Sequence, residues 1–290
     1  MQKLTYQNIL GETAEFLHEP YVLCEVRGVG MSGLRASASE GAYQEGERVT
    51  ALRREGRRVK LTLHLVAKDR DELYRLRGGL LGILSPDRAL DGERRARLIY
   101  ENDACRRWTW AVPESGLDWG KRVGNIQPSL TLSFRCESPF WYGLNKNETE
   151  FRARREGLTL PARLPFRLGS KVFRQTARNL GQADAPVSVS IQGKGERPEL
   201  VNDSTGARIK LAAPLPDGEL LIVNTDPAEL SVRVRHADGG EESGFGLLDP
   251  ECSVAGFTLR PGDNELRYVP DGDASGSVIR VSWYDRYEGV

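Results

Sequence analysis

Residues 57–67 read RRVKLTLHLVA, and residues 68–86 continue KDRDELYRLRGGLLGILSP. In the first stretch Val59, Leu61, Leu63 and Leu65 alternate with Arg58, Lys60, Thr62 and His64. That two-residue period predicts a half-buried strand over Arg57–Ala67. His64 falls on its polar face, which suits a solvated or cross-strand role better than catalysis. The second stretch changes period. Asp69 is placed to cap a helix, Glu72 follows three residues later, and Leu73, Leu76, Leu80 and Leu84 share one face. Ser85-Pro86 ends it. Gly78, Gly79 and Gly82 each weaken a helix by up to ~1 kcal/mol relative to Ala, and they permit close packing against a sheet or a neighbouring subunit.

Around this strand and helix the chain reads as strands. Tyr21–Arg27, Arg97–Glu101, Arg106–Val112 and Ser129–Glu137 are expected in the first half. In the last of these Leu130, Leu132, Phe134 and Cys136 face one way. Residues 144–180 change character: they are basic, broken by Pro161 and Pro165 and weakly periodic, and they read as an extended connector. Beyond them short strands recur at the ~8–12-residue spacing of a sandwich. They are Val187–Gln192, Arg208–Ala212, Glu219–Asn224, Leu230–Arg235, Ser253–Leu259, Glu265–Val269 and Ser277–Tyr284. Turn sequences such as Asp203-Ser204-Thr205-Gly206 and Pro261-Gly262-Asp263-Asn264 separate them. The expected fold is mainly β. An α+β domain with one principal helix spans 1–143, a connector spans 144–180, and an antiparallel β-sandwich spans 181–290. At 290 residues the chain is about twice the usual ~150 of one domain.

Composition excludes several classes. No window approaches ~18 consecutive apolar residues, so no membrane insertion is expected. The first residues, MQKLTYQNILGETAEF, lack an apolar signal core. Lys+Arg and Asp+Glu are equal at 41 each. Residues 1–180 carry 31 basic and 22 acidic residues, and residues 181–290 carry 10 and 19, so the halves have opposite sign. The arginines of the first half are interspersed with acids rather than clustered with aromatics, which argues against specific nucleic-acid binding. Cys24, Cys105, Cys136 and Cys252 form no CxxC, and His18, His64 and His236 lie far apart. No metal site or cofactor is expected. Buried free thiols suit assembly in a reducing cytoplasm.

No motif selects an enzyme. Gly28-Val29-Gly30-Met31-Ser32-Gly33 matches GxGxxG, but the residues that follow, LRASASEGAYQEGERV with Gly41 and Gly46, have little apolar periodicity, so a flexible strand-to-strand connection accounts for it better. GxSxG and HExxH are absent, and nothing singles out a carboxylate pair. Three aromatic clusters, Trp108-Thr109-Trp110, Phe140-Trp141-Tyr142 and Trp283-Tyr284-Asp285-Arg286-Tyr287, each continue an apolar strand face. Core is the favoured reading, with Trp283, Tyr284 and Tyr287 as the candidates for stacking on a saccharide. The run Arg53-Arg54-Glu55-Gly56-Arg57-Arg58 reads as a solvated hairpin tip. Its sharper reading is an electrostatic contact of Arg53, Arg54, Arg57 and Arg58 with a neighbouring subunit.

Taken together, these features resemble a known family. They are the Arg-rich strand and the helix ending LLGILSP; LIYENDACRRWTWAV leading to LTLSFRCESPFWYG; and NLGQADAPVSVSIQGKGERPELVNDSTGARIKL followed by LRPGDNELRY and SWYDRYEGV. The chain resembles the distal tail protein of long-tailed bacteriophages (siphophages). The resemblance implies a non-enzymatic virion component of the tail tip or baseplate, assembled in the bacterial host cytoplasm. It implies a first domain that closes into a homo-hexameric ring joining the tail tube protein to the tail-tip protein. The strand Arg57–Ala67 and the arginine run before it would take part in a belt of inter-subunit pairing. The second domain would be a galectin-like or carbohydrate-module-like sandwich projecting outward, docking a receptor-binding protein, binding host saccharide or only decorating. The alternative function is a saccharide-binding sandwich protein for host-surface attachment.

Overall fold

The computed structural model describes residues 2–152, 173–193, 197–269 and 277–290. The chain forms two compact units, residues 1–144 with 287–290, and residues 145–286.

The first unit opens with β1 (Lys3–Gln7), β2 (Thr13–Phe16) and β3 (Tyr21–Arg27). A ribbon of β4 (Leu34–Ser39) and β5 (Arg48–Arg54) leads into β6 (Arg57–Val66) and helix α1 (Arg70–Ile83). The short pair β7 (Leu90–Asp91) and β8 (Arg94–Arg95) precedes β9 (Arg97–Glu101), β10 (Arg106–Trp110), β11 (Val112–Pro113), β12 (Ile126–Cys136) and β13 (Trp141–Gly143). One sheet runs β2-β1-β9-β10-β13, and a second runs β11-β12-β6-β3. The alternation seen in sequence is the alternation of β6, where Val59, Leu61, Leu63 and Leu65 are all inaccessible to solvent. Leu61, Leu63 and Leu65 pair on both sides, Leu61 with Leu132 and Val26 for example, and Val59 pairs with Phe134. Tyr6 of the first sheet stacks on Phe134 of the second, ring centroids 5.1 Å apart.

Helix α1 starts where the capping residues place it. The Asp69 carboxylate accepts from the Glu72 N–H at 2.7 Å, and the Glu72 carboxylate reaches back to the Lys68 N–H at 2.7 Å. Leu73, Leu80 and Leu84 enter the core. Gly78 and Gly79 have open space where a side chain would be, so among the described residues they serve no close packing. His64 takes the cross-strand role: its Nδ1 accepts the Ser129 N–H at 3.2 Å. Ser129 has φ 55°, at the irregularity of β12 between Gln127 and Leu130.

The second unit is a sandwich. Its strands are β14 (Asn147–Arg152), β15 (Phe173–Asn179), β16 (Ala185–Gln192), β17 (Glu199–Asn202), β18 (Ala207–Lys210), β19 (Leu220–Asn224), β20 (Ser231–Arg235), β21 (Glu241–Ser243), β22 (Thr258–Leu259), β23 (Gly262–Val269) and β24 (Val278–Trp283). One sheet runs β14-β24-β16-β19-β20-β21, with β22 on β16, and the other runs β15-β23-β17-β18. Val187, Val189 and Ile191 from one face and Leu200, Leu266 and Tyr268 from the other share one core. The two-residue strand β25 (Arg286–Tyr287) then ends the first unit's sheet beside β13.

Two expectations change here. Within 144–180, Asn147–Arg152 and Phe173–Asn179 are strands of the sandwich rather than bare connector. Their period is weak because few inward side chains mark it, Phe151 in one and Ala177 and Asn179 in the other. Residues 153–172, with Pro161 and Pro165, lie outside the described residues. Ser253–Leu259 is not one strand but a 3-10 turn, Val254–Gly256, followed by the short β22. Buried side chains hold carbonyls that a strand ladder would otherwise use. Thr225 donates to Phe257 O at 2.9 Å, Asn202 to Thr258 O at 3.0 Å and Asn179 to Leu259 O at 2.9 Å.

Candidate functional site

The feature of the first unit that its own core does not explain is the β4–β5 ribbon. Every residue of both strands is exposed. Register partners share a face, and the pairs Leu34↔Arg54, Ala36↔Leu52 and Ala38↔Val49 form one face while Arg35↔Arg53, Ser37↔Ala51 and Ser39↔Arg48 form the other. The ribbon is therefore amphipathic, apolar on one side and basic on the other. Leu34 is 53% exposed, Val49 51% and Leu52 67%. An isolated two-stranded ribbon is marginal in water, and among the described residues this one keeps its apolar face exposed.

The GxGxxG segment is the ribbon's entry, and no helix follows it. Gly28 has φ +84°, and a Cβ there would sit 1.8 Å from the Arg58 carbonyl oxygen, so only glycine fits. At the exit, the four arginines take four different roles. Arg53 is exposed on the basic face beside Arg35 and Arg48. Arg54 forms a bidentate pair with Glu288, at 2.5 Å from Nη2 to Oε1, and its guanidinium lies 5.1 Å from the Phe140 ring centroid. Arg58 pairs with Glu114 at 2.7 Å on the surface.

Arg57 corrects the surface-contact reading. It is 2% exposed. Nη1 donates to Gly28 O at 2.7 Å and to Gly30 O, and Nη2 donates to Pro139 O at 2.8 Å and Glu288 O at 2.7 Å. Its guanidinium lies 5.4 Å from the Trp141 ring centroid. Burial pulls its pKa below the ordinary arginine value. The side chain is a staple that ties the ribbon's entry to its exit.

The stacking candidates scatter. Trp283 is 5% exposed in the sandwich core, with its indole N–H on Asp285 Oδ1 at 3.1 Å, so no face of its ring meets a ligand. Tyr284 is half-buried. Tyr287 lies under Arg107, 3.6 Å from the guanidinium to the ring centroid. Trp141 is likewise fully buried, and Trp108, also buried, stacks edge-on against Trp110 at 4.8 Å. We expect Trp283→Ala to destabilise the sandwich by about 3–5 kcal/mol, as deleting a large core aromatic does. The check is a guanidinium unfolding curve followed by circular dichroism. An unmoved midpoint would restore the ring to the surface.

The thiols also differ from expectation. Cys24 is exposed, Cys105 and Cys252 are half-buried, and Cys136 alone is buried. Burial pushes the Cys136 thiol up to about 12. Cys24 should therefore label with an aromatic disulfide reagent in the folded protein, and Cys136 only after denaturation. Labelling of both at one rate would contradict that burial. Among the described residues no group of three or more His, Cys, Asp or Glu side chains is placed to hold a metal ion, and no helix is long and apolar enough to cross a membrane.

No family model and no curated protein matches the chain by sequence. Solved structures do match. The Dit protein of phage SPP1, described as a paradigm of the hub adsorption apparatus in phages infecting Gram-positive hosts, superposes with a TM-score of 0.64 at 15% identity. The match covers 97% of this chain and 98% of that one. A chain of the phage P2 baseplate in its activated conformation with calcium gives 0.53 at 11% identity over the same shares, as does that baseplate with strontium. The chain has the fold of these phage hub and baseplate proteins along nearly its whole length.

Proposed function

We propose that this chain is a structural, non-enzymatic component of a phage tail tip or baseplate. In this reading it is a virion protein, put together in the cytoplasm of the bacterial host. The first unit closes into a homo-hexameric ring that joins the tail tube protein on one face to the tail-tip protein on the other. The sandwich is available to a receptor-binding protein or a host saccharide. The observation that carries the reading is the amphipathic β4–β5 ribbon, set in a chain whose fold is that of a phage hub protein. A ring needs a surface on each copy that complements a different surface on the next. The ribbon would supply one of those surfaces, with an apolar face to bury and a basic face of Arg35, Arg48 and Arg53 to meet acidic groups on the next copy. Arg54 and Arg58, already paired within the chain, contribute less to that contact than Arg53.

Native mass spectrometry of the purified chain, with negative-stain class averages, tests the ring. The expected particle is about 194 kDa, six copies of a 32.3 kDa chain, with a central hole in projection. A closed ring of another copy number would overturn the hexamer. The absence of this chain from purified tails would overturn the hub.

A further inference from the structure

Among the last residues of the chain, Glu288, Gly289 and Val290 reach both roots of the ribbon, while Tyr287 lies under Arg107 of β10. At the entry root the Val290 N–H donates to Val29 O at 3.1 Å. Gly289 lies backbone to backbone on Gly30, so close that a Cβ on Gly289 would stand 3.0 Å from Gly30 Cα. At the exit root the Glu288 carboxylate holds Arg54, the last residue of β5, through Nε at 3.1 and 3.2 Å and Nη2 at 2.5 Å. Arg57 donates to the Glu288 carbonyl at 2.7 Å with the same guanidinium that holds Gly28 and Gly30. Arg107 holds the Gly289 carbonyl. Val29 and Val290 both pack on the edge of the unit's core.

We infer that residues 287–290 are a clasp that sets the direction in which the ribbon leaves the first unit. The physical argument is one of constraint. A ribbon whose residues are all exposed has no packing of its own to fix its angle, so its angle is set at its roots. Arg54 shares the apolar face with Leu34, Ala36 and Leu52, and its tether to Glu288 therefore fixes which way that face turns. The pair joins residues 234 apart in sequence, so the clasp closes only once the chain has returned residue 288 to the first unit. The consequence for the ribbon stands on these contacts alone. The further consequence, that the clasp prepares the ribbon for a neighbouring copy, rests on the ring reading above.

The test uses the full-length chain and three variants: Glu288→Gln, Gly289→Val and deletion of residues 287–290. Hydrogen exchange resolved to segments 28–33 and 54–57 is expected to speed at least tenfold in Gly289→Val and in the deletion. In Glu288→Gln the change should be smaller and centred on 54–57. Exchange across the interior of β6 and α1 should be unchanged, which separates loss of the clasp from unfolding. Trypsin should cleave at Arg48 and Arg53 faster in the same order. Root exchange at the parental rate in Glu288→Gln and Gly289→Val would overturn the clasp, whatever the deletion does. If root exchange accelerates while ring formation is unaffected, the clasp stands and its role in assembly falls. If the parent forms no ring, the ring reading fails while the exchange measurement still decides the clasp.

Discussion

Arg57→Met is expected to lower the stability of the first unit by about 3–5 kcal/mol, the range for removing one partner from a buried, hydrogen-bonded charge network. Four carbonyls, of Gly28, Gly30, Pro139 and Glu288, accept from this one guanidinium, and all four belong to the backbone. Exchanging both partners of a buried pair for apolar groups is often neutral, but here the acceptors stay whatever replaces the arginine. Methionine matches the length of the aliphatic stem and leaves the acceptors without donors. Arg57→Lys should recover part of the loss, since an ammonium has three donors but not the planar fork that spans four acceptors. The measurement is urea unfolding of the full-length chain followed by circular dichroism, with a melting-temperature drop of roughly 10 °C at a conversion of about 2–4 °C per kcal/mol. A loss below about 1 kcal/mol for Arg57→Met would show that the network contributes little. The same reasoning changes how assembly must be tested. Reversing Arg53, Arg54, Arg57 and Arg58 together would abolish assembly by unfolding the ribbon's root, so the surface arginines have to be altered without Arg57.

The arginine run shows what was legible and what was not. Arg57 has the phase of Val59, Leu61, Leu63 and Leu65, and the strand's own period places it on the inward face. The signal was present, and charge obscured it. The helix was legible, its N-cap to the residue, because its cap, its leucine face and its stop are all local. The ribbon was not legible: LRASAS alternates, but RVTALRR loses step at Ala51-Leu52, and its Leu52 and Val49 share a face only because the register shifts between Ser37 and Ala38. The preceding glycines argued for a flexible connection, although Gly28 is held tightly against Arg58. The opposite charge of the two halves does not survive at the observed boundary. Residues 1–144 with 287–290 carry 22 basic and 20 acidic residues, and residues 145–286 carry 19 and 21. The basic excess comes from residues 151–180, with 8 basic and 1 acidic, counted with the first half before the fold assigned them to the second unit. The contacts of residues 287–290 left no trace in sequence, because nothing local links Glu288 to Arg54.

Leu34→Asp with Leu52→Asp should convert the ring to monomers while leaving the fold intact. Both leucines lie on the apolar face, 53% and 67% exposed in the single chain, so the folded monomer loses little when they become polar. Exposed substitutions of this kind usually fall within about 0.5 kcal/mol. In the proposed ring the same face would be buried, and burial of each leucine is worth about 1.5–3 kcal/mol. Removing two such contributions and placing two carboxylates in the interface costs at least about 3–6 kcal/mol per interface, a weakening of roughly two to four orders of magnitude. Arg35→Glu with Arg53→Glu, on the opposite face, provides the contrast. Those side chains contribute through screened charge, so their loss should weaken assembly less, and the difference from the parent should shrink between low and high salt. Native mass spectrometry alongside thermal melting reads both pairs, and incorporation into purified tails reads them in the assembled particle. A ring of undiminished stability from the double leucine variant would show that the apolar face is not what the copies share, and the subunit contact would have to lie elsewhere on the first unit. Loss of the ring with an unchanged melting temperature would place the contact on the ribbon's apolar face. The arginine pair would then measure how much of the contact is charge.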